Sequence, residues 1–245
     1  YYGIDVIEGL KLLPEKSIQT CCTSPPYWGL RDYGVGHRVW GGDPCCDHDF
    51  GLKDRFCGPC GAWEGALGLE PTPTLYVEHM VEVFREVRRV LRDDGILWLN
   101  LGDSYAQAKG HGHWEGRGGK GDEQDQKVVR RWADRGAEDI GLKPKDMVGI
   151  PWMVAFALRA DGWYLRSDII WSKPSCMPSS VQDRPTKSHE YVFLLTKTDR
   201  YFYDLDAIRE PLAGERHNPG NKNREGVLMQ ERWNQGVSTD PSADP

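Results

Sequence analysis

The chain has 245 residues, a formal net charge of −6 and 39% hydrophobic residues, ten of them tryptophan. That length suits one large α/β domain with insertions or two small domains, and the apolar content excludes a disordered protein. The acidic balance excludes an indiscriminate polybasic binder, yet phosphates respond to a local basic face, so nucleic acid remains open as a partner.

Tyr1 opens almost directly into an apolar segment, and "VSTDPSADP" closes in a polar, proline-containing loop, so a fragment lacking its C-terminal part is expected. "VIEGLKLLPEKS" places Ile7, Leu10, Leu12 and Leu13 at mixed helical spacing and predicts a short helix ended by Pro14. "SIQTCCTSPPY" reads as a buried strand stopped by Pro25 and Pro26. Residues 34–70, rich in Gly, Cys and Asp without periodicity, read as an irregular insertion. The clearest helix is "TPTLYVEHMVEVFREVRRVLRDDG", capped by Thr72 or Thr74, with Leu75, Val77, Met80, Val83, Phe84, Val87, Val90 and Leu91 on its apolar face and Gly95 at its end. "GILWLNLGDSYA" follows as a strand running into a turn. Residues 107–138 are glycine-rich, then strongly charged, and read as a mobile basic loop. "IPWMVAFALRADGW" predicts a second helix and "YLRSDIIWSKP" a third strand. "HEYVFLLTKTDRYFYD" predicts a pair of strands or one long hairpin. Helices alternating with apolar strands indicate an α/β sheet domain.

Two motifs compete for chemistry before the main one. "GRGGKG" at 116–121 lacks the strand before and the helix after that a phosphate cradle needs, and it reads as plain loop. "CCDHDFGLKDRFCGPCGAW" is more specific. It spaces Cys46 and His48 as one pair and Cys57 and Cys60 as a CxxC pair, a ligand set for structural zinc, with Cys45 as a substitute for Cys46. The segment has little apolar content to order it otherwise. Four protein ligands would leave no open coordination position for catalysis. Seven cysteines, an odd number, suit reduced thiols and metal ligation inside a cell better than a secreted disulfide framework. With no run of transmembrane length and no signal-peptide pattern, a soluble intracellular protein is expected.

"TSPPY" at 23–27 ends the first strand with two fixed φ angles. Prolines offer no N–H, so the local groups are acceptors: the Ser24 oxygen and the Pro25 carbonyl. Rigid acceptors can grip both hydrogens of an amino group, turn its lone pair out of conjugation and aim it at an electrophile, while Tyr27 lies flat on the ring that bears the amine. A stiff turn with a packing aromatic explains the same residues, and physics alone leaves both readings open.

"TSPPYWGL" resembles the catalytic motif of the DNA amino-methyltransferases, which methylate N4 of cytosine or N6 of adenine with S-adenosylmethionine. Further segments are similar in the order of the permuted β class: "YYGIDVIEGLKLLPEKSIQTCCTSPPY", "VRRVLRDDGILWLNLGDSYA", "GIPWMVAFALRADGWYLRSDIIWSKP" and "HEYVFLLTKTDRYFYD". The resemblance implies a Rossmann-like methyltransferase α/β sheet with helices on both faces. Residues 1–34 and 71–210 would be its catalytic core, 35–70 a small zinc-binding insertion and 211–245 the start of a C-terminal part.

The resemblance also implies roles. Ser24 and the Pro25 carbonyl would orient the target amine, Pro26 would fix the loop and Tyr27 would stack on a flipped base. Asp5 would contact the adenosine part of the cofactor, although this chain reads "GID" where the family usually has Gly-Asp. Gly102, Asp103 and Ser104 of "LGDS" would line the methionine end. The family's glycine motif for the cofactor, Asp-Pro-Phe-x-Gly-Ser-Gly, does not occur in these 245 residues. Displacement would be direct, so Cys21 and Cys22 are expected as core residues rather than nucleophiles. Family members with Asp at the position of Ser24 are mostly adenine enzymes and those with Ser mostly cytosine-N4 enzymes, which favours N4-methylcytosine over N6-methyladenine.

Duplex DNA would be the partner, met by the basic loop around Arg117–Arg135, by "KPSCMPSSVQDRPTKSH" with Arg184 and Lys187, and by the cysteine insertion. The recognition sequence and any cognate restriction endonuclease are not legible. The resemblance places the protein in the cytoplasm of a bacterial or phage-infected cell. A non-catalytic zinc-containing DNA-binding module, and a methyltransferase acting on RNA or protein amines, are the competing readings from other classes.

Overall fold

Asp5 turns the chain into its first helix, α1 (Val6–Lys11), where its carboxylate accepts the Ile7 and Glu8 amides that the first turn leaves unpaired. The computed structural model describes residues 3–29, 32–51, 54–106, 136–176 and 178–209. The glycine motif at 116–121, the basic run Arg117–Arg135 and the segment 211–245 lie outside them. Two compact units divide the chain, Tyr1–Phe202 and Tyr203–Pro245. In the second, the described residues hold a short 3-10 turn, Asp206–Ile208.

In the first unit the main sheet has four strands, β1 (Ile18–Thr23), β4 (Leu91–Leu101), β5 (Tyr164–Ser172) and β6 (His189–Thr196), in the order β1-β4-β6-β5. β1 and β4 run parallel, whereas β6 pairs antiparallel with both β4 and β5. The strand β6 therefore makes its hairpin with β5, and Tyr201–Tyr203 form no strand, which corrects the expectation of paired strands within 189–204. A separate two-stranded ribbon, β2 (Arg38–Trp40) and β3 (Trp63–Gly65), lies within the cysteine-rich insertion.

The helix α2 (Pro73–Val90) starts where Thr72 accepts the Leu75 amide through its hydroxyl, with Pro73 in the first turn. It ends earlier than its apolar pattern suggests, because Leu91 is already extended and opens β4. Gly95, expected as the helix stop, sits in a bulge instead. The β1–β4 register jumps between Ile18 and Thr20, and a Cβ at Gly95 would lie 2.9 Å from the Arg92 carbonyl oxygen.

Leu97, Leu99 and Leu101 of β4 and Phe193 and Leu195 of β6 face one side. There Tyr76, Met80, Phe84 and Val87 of α2 pack with Val154, Ala155 and Leu158 of the helix α3 (Ile150–Ala160). The expected helices on both faces gather on this one face among the described residues. The alternate side chains Ile96, Trp98 and Val192 stay half-buried on the other. Of the two strand cysteines expected in the core, Cys21 is half-buried against it and Cys22 is exposed.

Candidate active site

The parallel strands β1 and β4 end side by side, which brings Thr23–Trp28 against Asn100–Gly102. Three fixed points hold the Ser24–Tyr27 loop. The Tyr76 hydroxyl donates to the Pro26 carbonyl at 2.9 Å, the Gly29 amide to the Gly68 carbonyl at 2.9 Å, and the Trp28 indole to the Glu70 carbonyl at 2.9 Å. No described residue donates to the Pro25 carbonyl. Gly68 adopts φ +93°, and a Cβ there would meet Pro26 at 3.1 Å and strain the backbone.

Around Tyr27 the sequence left a network unseen. Its hydroxyl donates to Asn100 Oδ1 at 2.7 Å or to Glu190 Oε2 at 3.1 Å. Ser24 Oγ lies 3.1 Å from the Tyr27 oxygen and 3.2 Å from Asn100 Oδ1. Asn100 Nδ2 donates to the Tyr191 carbonyl at 3.1 Å, which fixes its oxygen toward the two hydroxyls. Lys173 pairs with the other oxygen of Glu190. A hydroxyl has one proton. Whichever inward acceptor Ser24 chooses, its oxygen faces outward with lone pairs only.

Burial, reinforced by the Glu190 carboxylate, pushes the Tyr27 phenol up to about 12 against the opposing Ser24 contact, so it stays a neutral donor. Burial alone would raise Glu190, but the Lys173 ammonium and the Tyr27 hydroxyl outweigh it and hold the carboxyl below its ordinary range. The Tyr27 ring lies so close over Gly102 that a Cβ there would come within 2.5 Å of Cε2. Only glycine permits this contact.

In front of the loop opens a cleft of about 880 Å³, lined by Asp5, Ser24, Pro26, Arg38, Trp40 and Leu67 among others. That volume lies within the range of about 300–1,000 Å³ common to ligand sites. Asp5 reaches the cleft but is already engaged, capping α1 and pairing with Arg38 at 2.6 Å. Asp103 is also committed: its carboxylate accepts the Gly149 and Ile150 amides at 2.9 and 3.1 Å and so caps α3. Ser104 Oγ is buried without a partner among the described residues, and its carbonyl accepts the Val148 amide. Arg184 stacks on Tyr105 at 3.7 Å. The Lys187 ammonium is covered 5.8 Å from the Tyr191 ring, with no hydrogen-bond partner among the described residues.

The cysteine insertion brings its four nominated donors together, with the ligand atoms of Cys46, His48, Cys57 and Cys60 all within 4.8 Å of one another. Cys45 is exposed and outside the group. A tetrahedral zinc with bonds of about 2.3 Å to sulfur and 2.0–2.1 Å to nitrogen has S–S edges near 3.8 Å and S–N edges near 3.6 Å. The Cys46–Cys57 sulfurs lie 3.8 Å apart, and Cys60 Sγ lies 3.4 Å from His48 Nδ1. Burial opposes ionisation of Cys57, but the Cys60 amide and His48 outweigh it and lower the thiol to about 6. The Ala62 and Asp43 amides lower Cys60, while burial and its neighbouring thiols push Cys46 up to about 12. Three sulfurs in one place share negative charge poorly without a cation. The donor set fits zinc.

The residues missed by sequence reading are Asn100, Glu190, Lys173, Tyr76 and Glu70. Each is a polar group set in or beside an apolar run ("ILWLNLG", "HEYVFLL", "IIWSKP", "TLYV", "LGLEP"), and such interruptions were the available signal.

Comparison with known proteins follows the same segments. The DNA methylase family model for N6 and N4 methyltransferases matches residues 18–242. The Type II methyltransferase M.Cfr9I of Citrobacter freundii is 41% identical over 239 residues, covering 98% of this chain and 64% of its own length. M.SmaI of Serratia marcescens is 42% identical over 237 residues, covering 97% of this chain and 66% of its own. The chain thus spans less than two thirds of the length of these relatives. Among solved structures, the PvuII DNA methyltransferase, described as cytosine-N4-specific, aligns over 100% of this chain and 65% of its own at 18% identity and a TM-score of 0.43. With the family match running from the first strand of the sheet through the last, and relatives above 40% identity along nearly all of it, the chain belongs to the N6/N4 DNA methylase family.

Proposed function

We propose that the protein methylates the exocyclic N4 amine of cytosine in duplex DNA, with S-adenosylmethionine as methyl donor. The observation that carries this reading is the Ser24 oxygen, exposed at the cleft with its proton directed inward, beside a Pro25 carbonyl that no described residue engages. When bound, S-adenosylmethionine supplies a methyl group on a positively charged sulfur. The protein's part is to bind and orient. A base swung out of the helix presents its amine to Ser24 and Pro25, which accept its two hydrogens and turn the nitrogen lone pair toward the methyl carbon. The cofactor would supply the methyl group to that nitrogen, its sulfur keeping the bonding pair, and the surplus proton on the amine would pass to water. Tyr27, fixed at its hydroxyl by Asn100 and Glu190, offers its ring to the base.

Asp5, the backbone of Gly102–Ser104 and the apolar wall of Trp40 and Leu67 would hold the cofactor. Asp103, its carboxylate spent on the cap of α3, would contribute there through its backbone. Arg184 and the chain between β5 and β6 would meet the DNA backbone, and a phosphate role for Lys187 requires its ammonium to turn outward. Residues 1–34 and 71–210 form the catalytic core of this reading, and 35–70 a zinc-holding insertion in which Cys46, His48, Cys57 and Cys60 are the ligands. A neutral serine at the acceptor position, rather than aspartate, supports cytosine over adenine. The bacterial relatives support a cytoplasmic enzyme of a restriction-modification system.

Transfer of labelled methyl groups to duplex DNA by the wild type and by Ser24→Ala tests this directly. The variant is expected to lose turnover by about 100-fold, the scale of one well-placed hydrogen-bonding group in a reaction centre. Its DNA affinity should stay within a few-fold. Normal turnover in the variant would remove Ser24 from the mechanism.

A further inference from the structure

The zinc insertion is joined to the catalytic loop by an unbroken run of contacts. At the metal end, the buried Cys57 accepts the Gly61 amide and donates its own to the Ala62 carbonyl at 2.7 Å, closing a turn that leads directly into β3. Gly42, two residues past β2, lies beneath that turn so closely that a Cβ would fall 2.9 Å from Cys60 Sγ and 2.5 Å from the Ala62 Cβ. The ligand cluster thereby sits in the connection between the two ribbon strands and grips the end at which Trp40 and Trp63 pair.

Trp40 of β2 and Trp63 of β3 pair across the ribbon, and both stack on His79 of α2, with ring centroids 4.3 and 5.4 Å away. His79 Nδ1 lies 3.0 Å from Glu70 Oε1, and Glu70 Oε2 accepts the Gly68 amide at 2.8 Å. Gly68 and Glu70 are the residues whose carbonyls hold Gly29 and Trp28, and Gly68 backs directly onto Pro26. Every side chain in this run is buried: Trp40, Trp63, Glu70 and His79 are each at most 6% exposed.

Two strands of three residues do not hold themselves together. The apolar cluster around them is small: Ile7, Trp40, Trp63 and Val83 are buried, and Phe56, Leu67 and Leu75 pack half-buried against it. A buried carboxylate and imidazole remain favourable only while both are held in register. Something must fix the ribbon.

We infer that the Cys46–His48–Cys57–Cys60 metal is a positioning element for the catalytic loop, holding Pro26–Gly29 in place through Trp40 and Trp63, His79, Glu70 and Gly68. This rests on the zinc reading above. It assigns the insertion a task inside the active site, where the sequence suggested a structural zinc site and a DNA contact.

Metal analysis and hydrogen exchange on the full chain separate the two ideas. Purified protein should carry about one zinc, as structural sites of this ligand set do. After removal of zinc by a chelator, or in Cys57→Ser/Cys60→Ser, the Gly29 and Gly68 amides should exchange at least about tenfold faster, as local opening predicts. The amides of Leu97–Leu101 should keep their protection, and added zinc should restore the loop in the wild type. Protein without zinc overturns the metal reading itself. One zinc per chain with unchanged exchange at Gly29 and Gly68 after its removal overturns the positioning role alone. Should the zinc-free protein lose protection throughout the sheet, Glu70→Ala in the zinc-loaded state decides. It should retain the metal and free the loop, and a loop that stays protected in this variant overturns the inference.

Discussion

Asn100→Leu removes the side chain that joins the reaction loop to the sheet. Asn100 is 9% exposed, and its amide makes three hydrogen bonds, to Tyr27 at 2.7 Å, Ser24 at 3.2 Å and the Tyr191 carbonyl at 3.1 Å. Leucine fills nearly the same volume, so little cavity opens. The hydroxyls of Ser24 and Tyr27 retain each other and Glu190, so neither is stranded. The net loss is therefore the bond from the Asn100 amide to the Tyr191 carbonyl, about 1–3 kcal/mol with that acceptor left short of a donor. For a domain of this size that lowers the melting temperature by roughly 2–12 °C. Ser24 loses one of its two inward acceptors and can sample the other staggered wells, so the productive rotamer falls to about a third and transfer drops a few-fold even far below the melting point. Thermal melts followed by circular dichroism, with methyl transfer measured well below both midpoints, check both numbers. A melting temperature within about 2 °C of the wild type, together with full transfer, would refute the view that Asn100 organises the loop.

Tyr76→Phe deletes the donor to the Pro26 carbonyl in a buried setting, and about 1–3 kcal/mol of stability should be lost in melts. Transfer should fall through kcat more than KM, because the loop is displaced and the cleft is intact. Gly102→Ala places a methyl group 2.5 Å from the Tyr27 ring, so the ring must shift; tryptic mapping should show an intact fold while transfer is largely lost. Lys173→Met takes away the cation that does most to hold Glu190 below its ordinary range, leaving burial opposed only by the Tyr27 and Asn100 hydrogen bonds. A lowered carboxyl gives stability that is present above its unfolded value and lost as pH falls through the folded one. The wild type should therefore keep this contribution to below the ordinary carboxylate range, and Lys173→Met should lose it at higher pH. Coincident acid limbs in melts of the two proteins would contradict that assignment.

The order of helices and strands was legible because apolar spacing follows the periods of the elements it builds, as in Leu97, Leu99 and Leu101 on one face of β4 and Met80, Phe84 and Val87 on α2. The stop of α2 was misplaced because Val90 and Leu91 serve both periodicities, and the bulge at Gly95 exists only once β1 lies beside β4. The cysteine cluster was readable from ligand spacing within some fifteen residues. Ser24–Tyr27 was readable as a motif, but its partners were not. Asn100 and Glu190 are far from it in sequence and meet it only because β4 and β6 are neighbours in the sheet. Asp5 and Asp103 illustrate the reverse difficulty. Asp5 precedes the helix it caps, Asp103 follows β4 and caps α3 from far along the chain, and both carboxylates are spent on those caps.

Mass analysis of nucleosides from duplex DNA treated with this protein and S-adenosylmethionine bears most directly on the reaction assigned to Ser24 and Pro25. N4-methylcytosine should appear, and should vanish with Ser24→Ala. N6-methyladenine would contradict the choice of base, and 5-methylcytosine, which is not an amine product, would contradict the reaction itself.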